Sequence, residues 1–416
     1  MTESPCRRRA DCRLCGGTGL DLVLKLEPTP PANAFVGRDA LGIEQQRFPL
    51  DVFLCRACGH VQLRDVVDPA LLFENYVYVS GTSPVFVRHF EDYAGDILGR
   101  YPLPSGAPVV DIGSNDGTLL RIFQDRGCRV LGVDPAREIA YQASVSGIDT
   151  LPRFFSAALA RETIVEQRGY AVLVTANNVF AHADDLADIV EGVRILLTPG
   201  GLFVFEVSYL VDVFEKTLFD TIYHEHVAYH TVKPLVRFLD AHGLELIEAI
   251  RVDSHGGSLR GVAQVKGGPW PVRPSVAEAV ANEERLGLDR PETFAAFAAR
   301  IDSRKAELGG LLAGIKASGG TIAGFGAPAK ATTLLYHFGI GPDVIDFIVD
   351  DSPLKQGLHS PGMHIPVLPS QAIYDRRPSH VVVLAWNFAD PIMARHAAYR
   401  DGGGHFIVPL PDVKVY

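Results

Sequence analysis

No stretch of this chain is apolar for long enough to cross a membrane: a span needs about 18 to 20 residues, and no run reaches that length. Arg7-Arg8-Arg9 near the start has no apolar segment after it, so no secretory signal is expected there. Positive charge is also in short supply. Lys and Arg number 39 against 49 Asp and Glu, a net charge of −10, whereas broad nucleic-acid binding needs clustered cations that displace counterions. Neither a membrane nor a nucleic acid is therefore expected as a partner, and a cytoplasmic protein is the default. The 416 residues, 47% hydrophobic and 21% charged, have an ordinary globular composition. They exceed the roughly 250 to 300 residues of a single core, so two or three domains are expected.

Cysteine is scarce, but four of the six form two C-x-x-C knuckles, Cys12/Cys15 in "CRLCG" and Cys55/Cys58 in "CRACGH". In a reducing compartment such pairs read as metal ligands or redox pairs rather than structural disulfides. Two knuckles, each followed by a glycine, fit a ribbon-type zinc site, where four thiolates close a tetrahedron and leave no open position for substrate. The competing reading is two unrelated thiol pairs. The gap between the knuckles is longer than a ribbon needs and leaves room for a small subdomain. Cys6 and Cys128 have no partner pattern, and Cys128 is expected to pack as a small core residue.

The stretch "GAPVVDIGSNDGTLLRIFQDRGCRVLGVDPA" reads as strand, glycine turn, helix, strand. The glycine turn lets the backbone approach a ligand closely, and Asp134 ends the second strand, where a carboxylate can grip a ribose diol. Taken alone this unit suits NAD nearly as well as any other nucleotide. Two later segments narrow it: "YAVLVTANNVFAHADDLADIVEGVRILL" is strand, polar loop and helix, and "TPGGLFVFEVSY" is a turn into a strand ending at an acid. A second such unit follows a helix-rich run: "TIAGFGAPAKATTLLYHFGI", "VIDFIVDDSPLKQG" and "SHVVVLAWNF". Its turn departs from G-x-G-x-x-G, because Gly324 and Gly326 are followed by Ala329 and Lys330. A lysine at a helix entrance suits a compact phosphate. An NAD site, or a repeat that binds nothing, are the alternatives.

Between these units lies "TIYHEHVAYHT". A zinc-protease helix would need H-E-x-x-H, and here the second histidine after His224-Glu225 would fall on Ala228. His226 and His230 have the right spacing, but Val227 follows His226. What remains is an acid–base cluster or a solvated loop, on an insertion of roughly residues 207 to 232 near the ends of the strands, where open α/β sheets bind ligands.

The order of the methyltransferase-like segments resembles class I S-adenosylmethionine-dependent methyltransferases. The whole series, from the knuckles through "YVYVSGTS", "DIGSNDG", "NNVFAH", "YHEH", "SHGGSLR" and "GFGAPAKATTLL", resembles the sugar C-methyltransferase family, whose members methylate C3 of dTDP-linked 4-keto-deoxysugars. The resemblance implies an α/β chain in three parts: a zinc-binding domain over 1–69, an S-adenosylmethionine-binding Rossmann-like domain over 70–268, and a second Rossmann-like domain over 269–416 for the nucleotide-sugar. It implies Cys12, Cys15, Cys55 and Cys58 on structural Zn²⁺. Asp111, Gly113, Asn115, Asp134, Asn177 and Asn178 would lie around the methyl donor, with Asn115 and Asp116 also able to cap the next helix. Gly326, Ala327, Lys330 and Asp350 would lie around the dTDP-sugar. His226 would be the base, with Glu225, Tyr223, His182 and one of Tyr76 or Tyr78 completing the pocket; His224 and His230 read as packing residues. A monomer is compatible with this, though oligomeric state stays open. An O- or N-methyltransferase of the same architecture is the competing function, and a vestigial or NAD-dependent protein the third.

Overall fold

The computed structural model describes residues 5–74, 81, 84–254 and 256–416. Tyr76 and Tyr78 lie outside the described residues. Three sheets organise the rest. The first is antiparallel, with Leu20–Thr29, Phe48–Cys55 and Val61–Leu63 pairing in series. Its fourth strand, Ala228–Tyr229, arrives from the far side of the sequence, immediately after "YHEH". The ribbon of Cys6–Arg8 and Asp65–Val67 is a separate antiparallel pair.

The second sheet has seven strands, in the order Leu244–Val252, Ser258–Val265, Leu197–Ser208, Ala171–Asn177, Pro108–Ile112, Arg129–Val133, Thr150–Leu151. The last five run parallel, and Ser258–Val265 is antiparallel to both neighbours. Val109, Val110 and Ile112 are all buried, as are Leu202 to Phe205; such apolar stretches are what a parallel strand covered on both faces requires. The helix Thr118–Asp125 buries Leu119, Leu120, Ile122 and Phe123. Truncating the fully buried Phe123 to alanine would cost about 3 to 5 kcal/mol, for lost transfer energy plus the cavity left behind.

The third sheet has six strands, in the order Val367–Leu368, Phe347–Val349, Ile322–Phe325, His380–Val383, His405–Val408, Lys414–Val415, parallel except for the last. In both large sheets the first strand of the unit, Pro108–Ile112 or Ile322–Phe325, lies between neighbours on opposite sides. That is the switch point where a crevice opens at the strand ends. The 27-residue helix Pro291–Ala317 buries Phe294, Phe297, Ile301, Leu308, Leu312 and Ile315, a stripe at helical spacing. One apolar core runs from Leu24 of the small sheet through Phe205 to Val382 of the third, so the sheets are packed as one body. No helix among the described residues is long and apolar enough to cross a membrane.

Candidate active site

The site begins with two glycine turns. Gly113 has φ +70°, and a Cβ there would run into the Val179 side chain, so only glycine fits. Asp134, at the end of the next strand, accepts hydrogen bonds from the N–H of Asn115 (2.8 Å) and of Ala136 (2.9 Å). In the C-terminal sheet Gly326 has φ +85°, and Asp350 accepts from the N–H of Ala327 (2.6 Å) and of Ser352 (2.7 Å). Between the two turns lies a cavity of about 620 Å³. The second and third sheets, the "YHEH" loop and the inter-knuckle segment all contribute to its wall.

Of the residues singled out for the methyl donor, all six line this cavity: Asp111, Gly113, Asn115, Asp134, Asn177 and Asn178. Asp111 accepts from the Thr175 hydroxyl at 2.6 Å; burial pushes its carboxyl up to about 7, with the Thr175 bond pulling back. Burial raises Asp134 as well, against its two backbone donors. Phe86, Phe90, Phe154 and Phe155 line the same end. A close-approach glycine, a strand-end carboxylate and apolar rings suit the methionine, ribose and adenine parts of S-adenosylmethionine. Asp116 instead accepts from Thr118 N–H and hydroxyl at the start of the following helix.

The "YHEH" loop is held from three sides. His224 Nε2 donates to the Phe48 carbonyl (3.1 Å) and His230 Nε2 to that of Phe180 (3.3 Å). The Thr333 hydroxyl of the C-terminal part donates to the Ile222 carbonyl (2.7 Å). Glu283 accepts from Val232 N–H, Lys233 N–H and the Tyr209 hydroxyl, supplying the acceptors that the next helix start needs. His224 and His230 are packing residues, and burial pushes each down to about 4.

His226 differs from them in facing the cavity, with Tyr223, Thr221 and His182. Its Nδ1 lies 2.8 Å from the Thr221 carbonyl oxygen. A carbonyl can only accept, so Nδ1 carries the hydrogen and Nε2 keeps its lone pair. Nε2 accepts from the Tyr223 hydroxyl at 3.0 Å. Burial pushes His226 down to about 4, against the Thr221 bond, so the imidazole is neutral at pH 7 with its Nε2 lone pair available. The His182 ring lies beside it, centroids 4.8 Å apart.

Glu225, expected at the substrate, is not on the cavity wall. It is buried behind it, accepting from the Asn33 side-chain amide at 2.7 Å, and it is Asn33 that faces the cavity. Among the four residues expected around the nucleotide-sugar, Lys330 lines the cavity, whereas Gly326, Ala327 and Asp350 build the turn beneath it. The Lys330 ammonium donates to Asn387 Oδ1 at 2.7 Å. Sequence reasoning missed Lys355, which lines the cavity beside it, and Asp184, which lines it while paired with Arg7, Arg9 and Arg13 of the first knuckle region. The "DDSPLKQG" turn after a strand-end acid was the available signal for Lys355.

The four knuckle sulfurs converge. Cys12 Sγ lies 3.6 Å from Cys58 Sγ and Cys15 Sγ 3.6 Å from Cys55 Sγ, and all four lie within 4.8 Å of one another. A tetrahedral ion with Zn–S of about 2.3 Å sets an S–S edge of about 3.8 Å, so the donor set fits Zn²⁺ as a closed, structural Cys₄ site.

A Cys₄ zinc-binding module beside a glycine-turn methyl-donor site defines a class, and comparison with known proteins places the chain within it. Residues 12–73 match a zinc binding domain, 86–249 a methyltransferase domain, and 253–411 a C-methyltransferase C-terminal domain. C-methyltransferase NovU of Streptomyces niveus is 37% identical over 405 residues, covering 97% of this chain and 96% of that one. The ubiquinone biosynthesis O-methyltransferase of Colwellia psychrerythraea is 25% identical over 152 residues, 34% of this chain and 62% of that one. Among solved structures, the PH0226 protein from Pyrococcus horikoshii OT3 aligns with TM-score 0.37 and 14% identity, covering 48% of this chain and 98% of that one. The chain belongs to the sugar C-methyltransferase family. It is an S-adenosylmethionine-dependent methyltransferase that transfers to carbon and carries a zinc site.

Proposed function

We propose that this enzyme methylates C3 of a dTDP-linked 4-keto-deoxysugar through a base-generated enolate, in the cytoplasm. Residues 1–69 hold the zinc, 70–268 the methyl donor and 269–416 the nucleotide end of the sugar. The supporting observation is the state of His226: a neutral imidazole with Nδ1 fixed on a carbonyl and Nε2 turned to Tyr223, in a cavity that both glycine turns share.

Carbon becomes a nucleophile at neutral pH only after losing a proton, and a C–H beside a ketone can lose one because the charge spreads onto oxygen. S-adenosylmethionine, when bound, supplies an electrophilic methyl on a sulfonium. The chain's own task is to take the C3 proton and steady the oxygen at C4. His226 Nε2 takes the proton, and the Thr221 carbonyl stabilises the imidazolium that forms. Tyr223, released from Nε2 by the substrate, donates to the C4 oxygen. Glu225 acts from behind the wall, orienting Asn33. His182 packs against the base and keeps its ring in place.

The test is the product. Incubation with methyl-labelled S-adenosylmethionine and a panel of dTDP-4-keto-deoxysugars should give one methyl at C3 by NMR. A methyl on oxygen, nitrogen or another carbon would overturn the reading.

A further inference from the structure

The two cavity lysines make their direct contacts to neutral groups. Lys330 donates to Asn387 Oδ1, and its ammonium lies 3.3 Å from the centroid of the Trp386 ring. Lys355 donates to the Ala327 carbonyl at 2.8 Å and faces the Phe35 ring at 5.3 Å. The acids nearest to them do not line the cavity and act on the ammoniums only through space, Asp220 on Lys330 and Asp350 and Glu225 on Lys355. Asp220 accepts from the Trp386 indole at 2.5 Å, Asp350 from two backbone N–H groups, and Glu225 from Asn33. A cation drawn from water toward neutral dipoles is costly until an anion arrives. The opposite end of the cavity carries the reverse sign, with Asp111, Asp134, Asp185 and Asp188 on its wall. The cavity is therefore polarised, acidic toward a sulfonium ligand and cationic toward the other substrate.

Both lysines also converge on one short piece of backbone. Lys330 sits in the first turn of the helix Ala329–Phe338, and Lys355 reaches back to Ala327, two residues before that helix begins. The helix has no side-chain cap at Pro328, so its leading N–H groups add to the positive end.

We propose that Lys355 forms with Lys330 a two-cation clamp for a diphosphate, each ammonium taking one phosphoryl group across the turn at Ala327–Pro328. The clamp rests on the reading of the substrate as a nucleotide-linked sugar, and it makes Lys355 the residue that selects a diphosphate over a monophosphate. Asn33, anchored by Glu225, closes the same corner.

Calorimetry with dTDP-glucose, a non-reacting diphosphate, and with dTMP tests it, using S-adenosylhomocysteine affinity as the check on folding. The native enzyme should prefer dTDP-glucose by at least roughly tenfold, since charge-assisted bonds are about twice as strong as neutral ones. Lys355→Met keeps the aliphatic stem and should lose most of that preference with S-adenosylhomocysteine binding unchanged, while Lys355→Arg should retain it. If the native enzyme binds dTDP-glucose and Lys355→Met binds it equally well, the clamp is wrong and the substrate reading stands. If the native enzyme binds S-adenosylhomocysteine but neither nucleotide, the substrate reading falls and the clamp with it.

Discussion

At Gly113 and at Gly326 the chain makes the same turn twice. Each glycine sits at positive φ and donates its N–H to the last carbonyl of the neighbouring strand, Val133 in one case and Val349 in the other, at 2.7 Å in both. In each, the acid that follows that strand accepts two backbone N–H groups, one from the glycine turn and one from two residues further on. What differs is the company. Asp134 faces the cavity beside Asp111, whereas Asp350 lies beneath a turn over which Lys330 and Lys355 present their charges. The backbone device is generic, and the residues around it decide which ligand charge it receives.

Both halves depend on a loop that the zinc module braces, so the largest predicted effect comes from the metal. Elemental analysis should find about one zinc per chain. Cys55→Ser should cost the soluble fold outright, because structural zinc supplies folding energy directly. A metal-free, fully folded enzyme would contradict this.

Next in size is the effect at the proposed base, His226. His226→Asn keeps hydrogen bonding but cannot accept the proton, and should lower kcat by about 10²- to 10⁴-fold with little change in either ligand's affinity. Solvent deuterium should enter C3 in the native enzyme held with S-adenosylhomocysteine, and should fail to enter in His226→Asn. Exchange at the native rate in the variant would assign the base elsewhere.

A smaller effect should follow pH. Burial brings the Lys330 ammonium down to about 7, with Asp220 pulling it back up. The side chain is charged below that value and neutral above it, so an anion paired with it binds more tightly on the acid side. Affinity for dTDP-glucose, whose diphosphate keeps its charge throughout, should fall by up to roughly tenfold as pH rises from about 6 to about 8. Lys330→Arg stays charged and should flatten the profile; an unchanged slope in that variant would assign the titration to another group. The least effect on binding is expected at Asp350. Asp350→Ala removes acceptors from Ala327 and Ser352 and should lower Tm by a few degrees, about the worth of one or two hydrogen bonds. Its dTDP-glucose affinity should stay within about twofold of native, because the carboxylate does not face the cavity; a tenfold loss there would make it a ligand contact after all.

The parts of this arrangement that were legible in the sequence are those whose geometry is local. A glycine needed at positive φ, an acid at a strand end and two C-x-x-C knuckles can each be read in a few residues, and the structure gathers Asp111, Asp134, His182, Tyr223, His226 and Lys330 on one cavity. The hidden parts arise from long-range packing. Asn33 reaches the cavity because the segment between the knuckles folds toward Glu225, 192 residues away. The strand Ala228–Tyr229 completes a sheet that belongs to the zinc module, which no periodicity in two residues could signal. Glu225 was expected at the substrate beside His226, yet the turn closed by the His226 N–H on the Tyr223 carbonyl (2.8 Å) sends its carboxylate to Asn33 and leaves His226 on the cavity.

The polarised cavity is tested most directly by titrating both ligands into both single variants. Asp134→Ala should weaken S-adenosylhomocysteine at least roughly tenfold, the worth of one charge-assisted hydrogen bond, and leave dTDP-glucose within about twofold. Lys330→Ala should do the reverse, because sites without shared partners act independently. If either substitution weakens both ligands alike, the two ends are not separate and the division of labour between the two turns is wrong.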